Sequence, residues 1–242
     1  MARPRYPRST GPLPPPLPPA TRTVGQLVAE SLKLYGDRFW VVIPLGLPLA
    51  VVDQITVGQE TATSIVVFAL AAPFFAASYA CASALVSGRA PARRALITAI
   101  GLGSLVFLPA AFLLPWFSLA AVVWLALFGF AVPAAILEGR APGAAVRRSV
   151  EVARGDIVHA IGGLATLVLL YGITQRLLLQ VLHSEADNTA RVSILLADIV
   201  LAPLLFIGPA LLFVDLAARV GTTRESRKAA RRALEDAPPP AR

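Results

Sequence analysis

The sequence predicts an all-α integral membrane protein, a bundle of about six transmembrane helices with amphipathic helices on its cytoplasmic face. Of its 242 residues, 56% are hydrophobic and only 15% are charged, whereas an average soluble domain has about 25% charged residues. The apolar residues form long runs, and each run approaches the roughly 20 residues that a helix needs to cross a bilayer core of about 30 Å. The basic residues lie between these runs, as is typical of membrane proteins.

The chain begins with a proline-rich tail and ends with a basic one. Residues 1–22 contain PLPPPLPP, which favours a disordered, polyproline-like spacer, with a ligand for an SH3-type domain as the alternative. This tail lacks the apolar core of a signal peptide, so we expect the first span to stay in the mature protein. Residues 221–242 are expected to form a basic cytoplasmic tail.

A short amphipathic helix is predicted directly before the first span. Thr23 and Gln26 have the spacing of a capping box. Apolar residues recur at helical spacing behind them, which indicates a helix lying in the membrane interface. Tyr35 and Trp40 are expected at the level of the lipid headgroups.

We expect six spans, which form a membrane domain over residues 23–220. Residues 95–137 contain no charged residue, and a single helix of this length would measure about 65 Å, twice the thickness of the hydrocarbon core. The segment must therefore turn, and Pro115 and Trp116 favour a turn at 113–117. The predicted spans are residues 39–57, 64–87, 95–114, 116–137, 157–177 and 193–217.

The basic residues predict the orientation of this bundle. The formal net charge is +8, and six spans place 20 of the 22 Lys and Arg residues on the side that carries both termini. By the positive-inside rule this side faces the cytoplasm, where we expect it to contact anionic headgroups. Nucleic-acid binding is the alternative explanation of a basic excess. The apolar content argues against it, so we expect no nucleic-acid partner, and the sequence identifies no protein partner.

The motif GRAP occurs twice, at residues 88–91 and 139–142. Each copy follows a predicted span and opens a basic segment before a hairpin of two spans. The helix before the first span aligns with the second of these segments, for example through Ser31 and Ser149. We predict a pseudo-repeat of three hairpins, with chance similarity between basic loops as the alternative.

The segment between the fourth and fifth spans is predicted to form a surface helix. Pro142 suits the first position of a helix, and Val146, Val150 and Ala153 form an apolar stripe. The charged residues are expected on the opposite side, facing the cytosol or anionic headgroups.

These charged residues make up the candidate cytoplasmic surface of the protein. Within it, Glu151 is expected to pair with Arg147 and Arg154 on one side of the helix. The full set is Glu138, Arg140, Arg147, Arg148, Glu151, Arg154 and Asp156.

Ionisable residues inside a span are candidates for a functional site, because each costs about 2.5–3.5 kcal/mol at the helix centre. Arg176 ends the fifth span and Asp198 lies about one turn into the sixth. We predict an intramembrane pair between Arg176 and Asp198, with Gln175 and Gln180 nearby. The alternative is that both charges reach interfacial water, as we expect for Asp53 near the end of the first span.

The remaining polar positions indicate no catalytic chemistry. Asp215 and Arg219 have the i, i+4 spacing of a helix ion pair. His159 lacks the further ligands that a metal or proton-relay site needs, and Cys81 is the single cysteine. No nucleotide-binding glycine motif, nucleophile elbow or metal-binding motif is present. We therefore predict no catalytic centre, no cofactor and no metal.

Three stretches of the chain carry a set of motifs in a fixed order. The motif residues are Leu34, Tyr35 and Phe39 in the first, Glu138, Gly139, Arg148, Ser149 and Gly155 in the second, and Leu211, Leu212, Asp215, Leu216 and Arg219 in the third. In this combination, residues 23–220 resemble the membrane-domain family named after glycerophosphoryl diester phosphodiesterases.

The resemblance implies a multi-pass helical membrane protein. In some relatives this domain precedes a catalytic phosphodiesterase barrel, but only a short tail follows Val220 here, so we expect no such activity. The family usually has an aromatic residue before the closing Asp, where this chain has Val214. The Arg-rich and Ala-rich composition is typical of a bacterium with a GC-rich genome.

We predict a protein of the cytoplasmic membrane that acts as a non-catalytic, membrane-embedded organising or partner-binding module. The alternative is a small transporter or lipid-handling permease. Buried ionisable residues lining an aqueous path would favour the transporter, whereas charges restricted to the two faces of a tightly packed bundle would favour the module. A membrane enzyme would require convergent polar groups within the bundle.

Overall fold

Helices account for the architecture in the part of the chain that the structure describes, residues 18–181 and 187–235. The computed structural model has eleven α-helices and no strand in these ranges, and two short 3-10 helices lie at Pro19–Thr21 and Ile43–Gly46. The α-helices are α1 (Val24–Asp37), α2 (Phe39–Val42), α3 (Leu47–Thr56), α4 (Thr61–Ser87), α5 (Arg93–Leu113), α6 (Ser118–Phe128), α7 (Ala131–Leu137), α8 (Pro142–Gly155), α9 (Ile157–Val181), α10 (Asp187–Leu201) and α11 (Leu204–Glu235). Most of the predicted proline-rich tail lies outside the described residues, and α11 extends well into the predicted basic tail.

Six segments of the described residues are long and apolar enough to cross a membrane, which confirms the predicted all-α bundle of about six spans. The turn predicted at 113–117 is confirmed as well, because α5 ends at Leu113 and α6 begins at Ser118. Spans 1 to 6 are Phe39–Thr56, Thr61–Ser87, Arg93–Leu113, Ser118–Leu137, Ile157–Leu178 and Arg191–Thr223.

Successive spans run in opposite directions, so the bundle has two ends. We call the end that carries α1, α8 and the second half of α11 the terminal face, because α1 and α8 both contact α11 there. The opposite end carries the connections 57–60 and 114–117 and is called the distal face.

Proline interrupts three of the six spans. Pro44 lies in the 3-10 turn between α2 and α3, and Pro203 separates α10 from α11. In span 4, Pro133 has no N–H group that could donate a hydrogen bond to the carbonyl oxygen of Gly129, four residues earlier. That carbonyl accepts from Val132 instead, at 3.3 Å, where α6 gives way to α7.

The two GRAP motifs form the same kind of joint. Gly88 and Gly139 have φ angles of +65° and +63°, a left-handed conformation that glycine adopts without steric cost and that often ends a helix. Pro142 then opens α8 as its first residue. The first copy leads through a short loop into α5 and carries no surface helix, so only α1 and α8 match as helices in the predicted repeat.

Small residues let the spans pack closely. A Cβ atom added to Gly103 of α5 would lie 2.6 Å from the Cβ atom of Ala76 in α4, and one added to Gly46 would lie 2.6 Å from the carbonyl oxygen of Ile199. Close approach at glycine and alanine is the usual way in which helices associate in a bilayer, where lipid chains offer no hydrophobic driving force.

The surface helices α1 and α8 lie beside the bundle at the terminal face. The capping box at Thr23 and Gln26 is confirmed. For α8 the predicted apolar stripe is confirmed at Ala153, which is buried, and at Val146, which packs against the core, whereas Val150 is only half-buried. The other buried side chains are Ala145, Ser149 and Val152. The Ser149 hydroxyl group donates to the Leu127 carbonyl oxygen at 2.6 Å, just before the break in span 4.

Candidate functional site: an acidic pair at the wall of an apolar cavity

Two carboxyl groups meet inside the distal half of the bundle. The Tyr171 hydroxyl group lies 2.9 Å from Asp198 Oδ1 and 3.3 Å from Asp53 Oδ2. The same hydroxyl group therefore brings the carboxyl groups of Asp53 and Asp198 into one cluster. Gln175 Nε2 donates to the Tyr171 hydroxyl oxygen at 2.9 Å. Spans 1, 5 and 6 thus contribute to one polar cluster. We call its two acidic residues, Asp53 and Asp198, the acidic pair.

The acidic pair is deep and incompletely satisfied. Asp198 is fully buried, and it follows the start of span 6 at Arg191 by seven residues, or about 10 Å of helix. A phenol carries a single hydrogen, so Tyr171 donates to one carboxyl group at a time. Asp198 Oδ2 has no hydrogen-bond partner among the described residues. Leaving a buried acceptor unpaired costs about 1–3 kcal/mol.

No cationic side chain that the structure describes forms an ion pair with Asp53 or Asp198. The two carboxyl groups therefore form a locally acidic region in an otherwise apolar part of the bundle. Charges in a low-dielectric interior are stable only when they are paired or neutralised.

A cavity of about 350 Å³ lies next to the acidic pair. All six spans contribute to its wall, which is apolar except for Asp53, Tyr171, Tyr79 and Ser118. Several aromatic side chains line it, and Phe75 packs edge-on against Phe107 with ring centroids 6.0 Å apart. A mostly apolar pocket of roughly 300–1,000 Å³ with a few polar groups is typical of a small-molecule site.

The structure does not bring the predicted partners Arg176 and Asp198 together. Arg176 is exposed, and Asp198 accepts from Tyr171 instead. On α9, Tyr171 and Gln175 are four residues apart and share one face, whereas Arg176 lies about 100° further round the helix. Gln175, predicted to lie near this pair, donates to Tyr171, which in turn donates to Asp198, whereas Gln180 is exposed.

Sequence reasoning missed Asp53 and Tyr171 as members of this site. Asp53 was expected to reach interfacial water, but its side chain is half-buried and lines the cavity. The available signal was the spacing of Tyr171 and Gln175, which places two hydrogen-bonding groups on one face of span 5.

A second polar cluster ties the terminal face together. Arg22 pairs with Asp215 at 3.1 Å, and Arg219 pairs with Asp156 at 2.8 Å. Arg219 also donates to the carbonyl oxygen of Arg22 at 2.5 Å. The predicted i, i+4 pair of Asp215 with Arg219 is replaced by partners from other segments. Asp156 also accepts from the backbone N–H of His159 at 3.1 Å, as a helix N-cap residue does.

The candidate cytoplasmic surface is partly used for internal pairing. Glu138 accepts from Arg148 Nε at 3.0 Å and pairs with Arg140 as well. Glu151 pairs with Arg148 at 3.3 Å, so Arg148 takes the place predicted for Arg147 and Arg154, whose side chains are exposed.

Comparisons with protein-family models, with curated proteins and with solved structures each give no match to this chain. The residues that carry the family resemblance nevertheless have defined positions. Glu138 and Arg148 form an ion pair at the terminal face. Asp215 and Arg219 belong to the polar cluster that pairs Arg22 with Asp215 and Arg219 with Asp156. Membership of that membrane-domain family stays a prediction.

Proposed function

We propose that the protein binds a lipid-like molecule between its spans and handles it there without a catalytic centre of its own, as a lipid-handling permease does. The cavity carries this proposal, because its apolar wall suits a hydrocarbon chain and its few polar groups suit a head group. A path for ions or small polar solutes would need a mostly polar wall, and this one is mostly apolar.

A membrane-embedded organising or partner-binding module is the second candidate function. Exposed basic side chains at the terminal face favour it, among them Arg147 and Arg154 of α8 and Arg93 and Arg94 at the start of α5. Each basic residue near an anionic surface contributes about 1 kcal/mol of attraction. We rank this function second because it gives no role to the cavity or to the acidic pair.

We further propose that the protein resides in the cytoplasmic membrane with the terminal face inside. The support is the distribution of charge, since 20 of the 22 Lys and Arg residues lie in the segments assigned to the terminal side.

Binding to the cavity is testable with three probes of equal chain length, dodecanol, dodecylamine and dodecanoate. The protein is placed in phosphatidylcholine nanodiscs, radiolabelled probe is added, and partitioning into protein-free nanodiscs is subtracted. We expect saturable binding of at least one probe by the unaltered protein.

A cavity-filling variant localises that binding. Val122 of α6 lines the cavity, so Val122→Phe places a ring inside it. Leu119 lies on the same helix and is 71% exposed, so Leu119→Phe adds the same ring on the outside. Val122→Phe should abolish saturable binding and Leu119→Phe should preserve it. Absence of saturable binding for all three probes, or equal binding by both variants, would contradict the proposal.

A further inference from the structure

We infer that the cavity selects molecules whose hydrocarbon chain ends in a protonated amine, and that the ammonium group binds at Asp53, beside the Tyr171 hydroxyl group that links Asp53 to Asp198. The inference rests on the proposed function and specifies the chemical class of its ligand.

Charge complementarity favours an ammonium group at this site. Asp53 lines the cavity, the buried carboxyl group of Asp198 lies at the same Tyr171 hydroxyl group, and no described cationic side chain pairs with either. The described basic residues closest along the chain, Arg176 and Arg191, are exposed. Opposite charges attract strongly where water is excluded. Two adjacent carboxyl groups that share one proton carry a single negative charge. A ligand that brings one positive charge balances that charge, whereas a carboxylate or phosphate head is repelled.

The hydrogen-bonding groups also fit an ammonium head. An ammonium group has three N–H donors and no acceptor. Asp53, which lines the cavity, offers carboxyl oxygens as acceptors. Tyr171 can keep donating to Asp198 Oδ1 while the ligand donates to Asp53. Hydrogen bonds between ions of opposite charge are about twice as strong as neutral ones.

The rest of the cavity accommodates the chain of such a ligand. Asp53 and Tyr171 lie at one wall, and the aromatic side chains of Phe68, Phe75 and Phe107 line the remainder with aliphatic neighbours. A bound amphiphile would thus place its head at the acidic pair and its chain among the apolar side chains. Binding would remove both the head and the hydrocarbon chain from water. A free metal ion or a short polar amine lacks the chain, so it would not fill the apolar part of the cavity.

The test compares dodecylamine with dodecanol at neutral pH, in the nanodisc assay described above. These probes share one chain and differ in the charge of the head. We expect dodecylamine to bind about tenfold more tightly or better. Asp53→Asn should lower its affinity to that of dodecanol and leave dodecanol binding unchanged.

Glu60→Gln is the matched control, because Glu60 is an exposed carboxylate at the distal face that does not line the cavity. It should change the affinity of neither probe. Equal affinity of the unaltered protein for both probes would overturn the inference and leave the proposed function standing. An equal loss of both probes in Asp53→Asn would overturn it too, since Asp53 would then be structural. Absence of binding by any probe would instead contradict the proposed function.

Discussion

Arg22 and Asp215 are 193 residues apart in the sequence and form an ion pair at 3.1 Å. Arg22 precedes the first α-helix, whereas Asp215 lies in the last α-helix and is fully buried. The pair therefore closes the terminal face by joining the two ends of the membrane domain.

Removal of Arg22 should destabilise the protein. Arg22→Gln leaves the buried Asp215 without its charged partner, which typically costs about 3–5 kcal/mol. Unfolding of the detergent-solubilised protein by SDS, followed by circular dichroism, measures the loss. Arg38→Gln removes an exposed arginine and should change stability by less than about 0.5 kcal/mol. Equal effects of the two variants would show that the ion pair does not stabilise the fold.

The hydrogen bond from Ser149 to Leu127 predicts a second effect. Ser149→Ala leaves the Leu127 carbonyl oxygen without this donor, so we expect a loss of about 1–3 kcal/mol in the same unfolding assay. Ser118→Ala is the control, because Ser118 is exposed and bonds within its own stretch of chain, to Leu114. A loss in Ser118→Ala as large as that in Ser149→Ala would speak against a specific role of the buried bond.

Two glycines of α5 should respond in opposite ways to alanine. At Gly103 the new Cβ atom would lie 2.6 Å from Ala76, so α4 and α5 must separate, with a cost of about 1–3 kcal/mol. At Gly101 nothing lies within 4 Å of the new atom, and Gly101→Ala should be neutral or stabilising by up to about 1 kcal/mol. Thermal unfolding of both variants measures the two changes in stability. The same change in stability at both positions would refute the packing explanation.

Reporter fusions test the orientation proposed for the terminal face. Fusions after residues 90, 145 and 225 should report the cytoplasm, and fusions after residues 58 and 115 should report the outside, because these positions lie at opposite ends of the spans. Cytoplasmic activity at position 115, or external activity at 90 or 145, would be incompatible with six crossings.

The spans were predictable from the sequence because they depend on local properties. Length, hydropathy and the absence of charge between residues 95 and 137 set the number of crossings. Pro115 and Trp116 indicated the turn, and Thr23 and Gln26 indicated the start of α1. None of these features depends on which helices become neighbours.

The candidate site was less predictable because it depends on the rotation of each helix. Asp198 was recognised as an unusual residue within a span, but its partner was assigned by charge to Arg176. The structure supplies Tyr171, which lies on the inner face of α9. Asp53 shows the same difficulty, because a residue near the end of a span can point to water or into the bundle. The buried Ser149 was missed because a hydroxyl group does not register in an apolar stripe.

Span 1 has a consequence for the surrounding bilayer. It contains 18 residues, against 27 in its neighbour span 2, and at 1.5 Å per residue these correspond to about 27 Å and about 40 Å. Adjacent helices of such different length create hydrophobic mismatch, which is relieved by tilting the long helix and thinning the bilayer beside the short one. Lipids with shorter acyl chains should therefore gather next to span 1, on the flank of the protein that contributes Asp53.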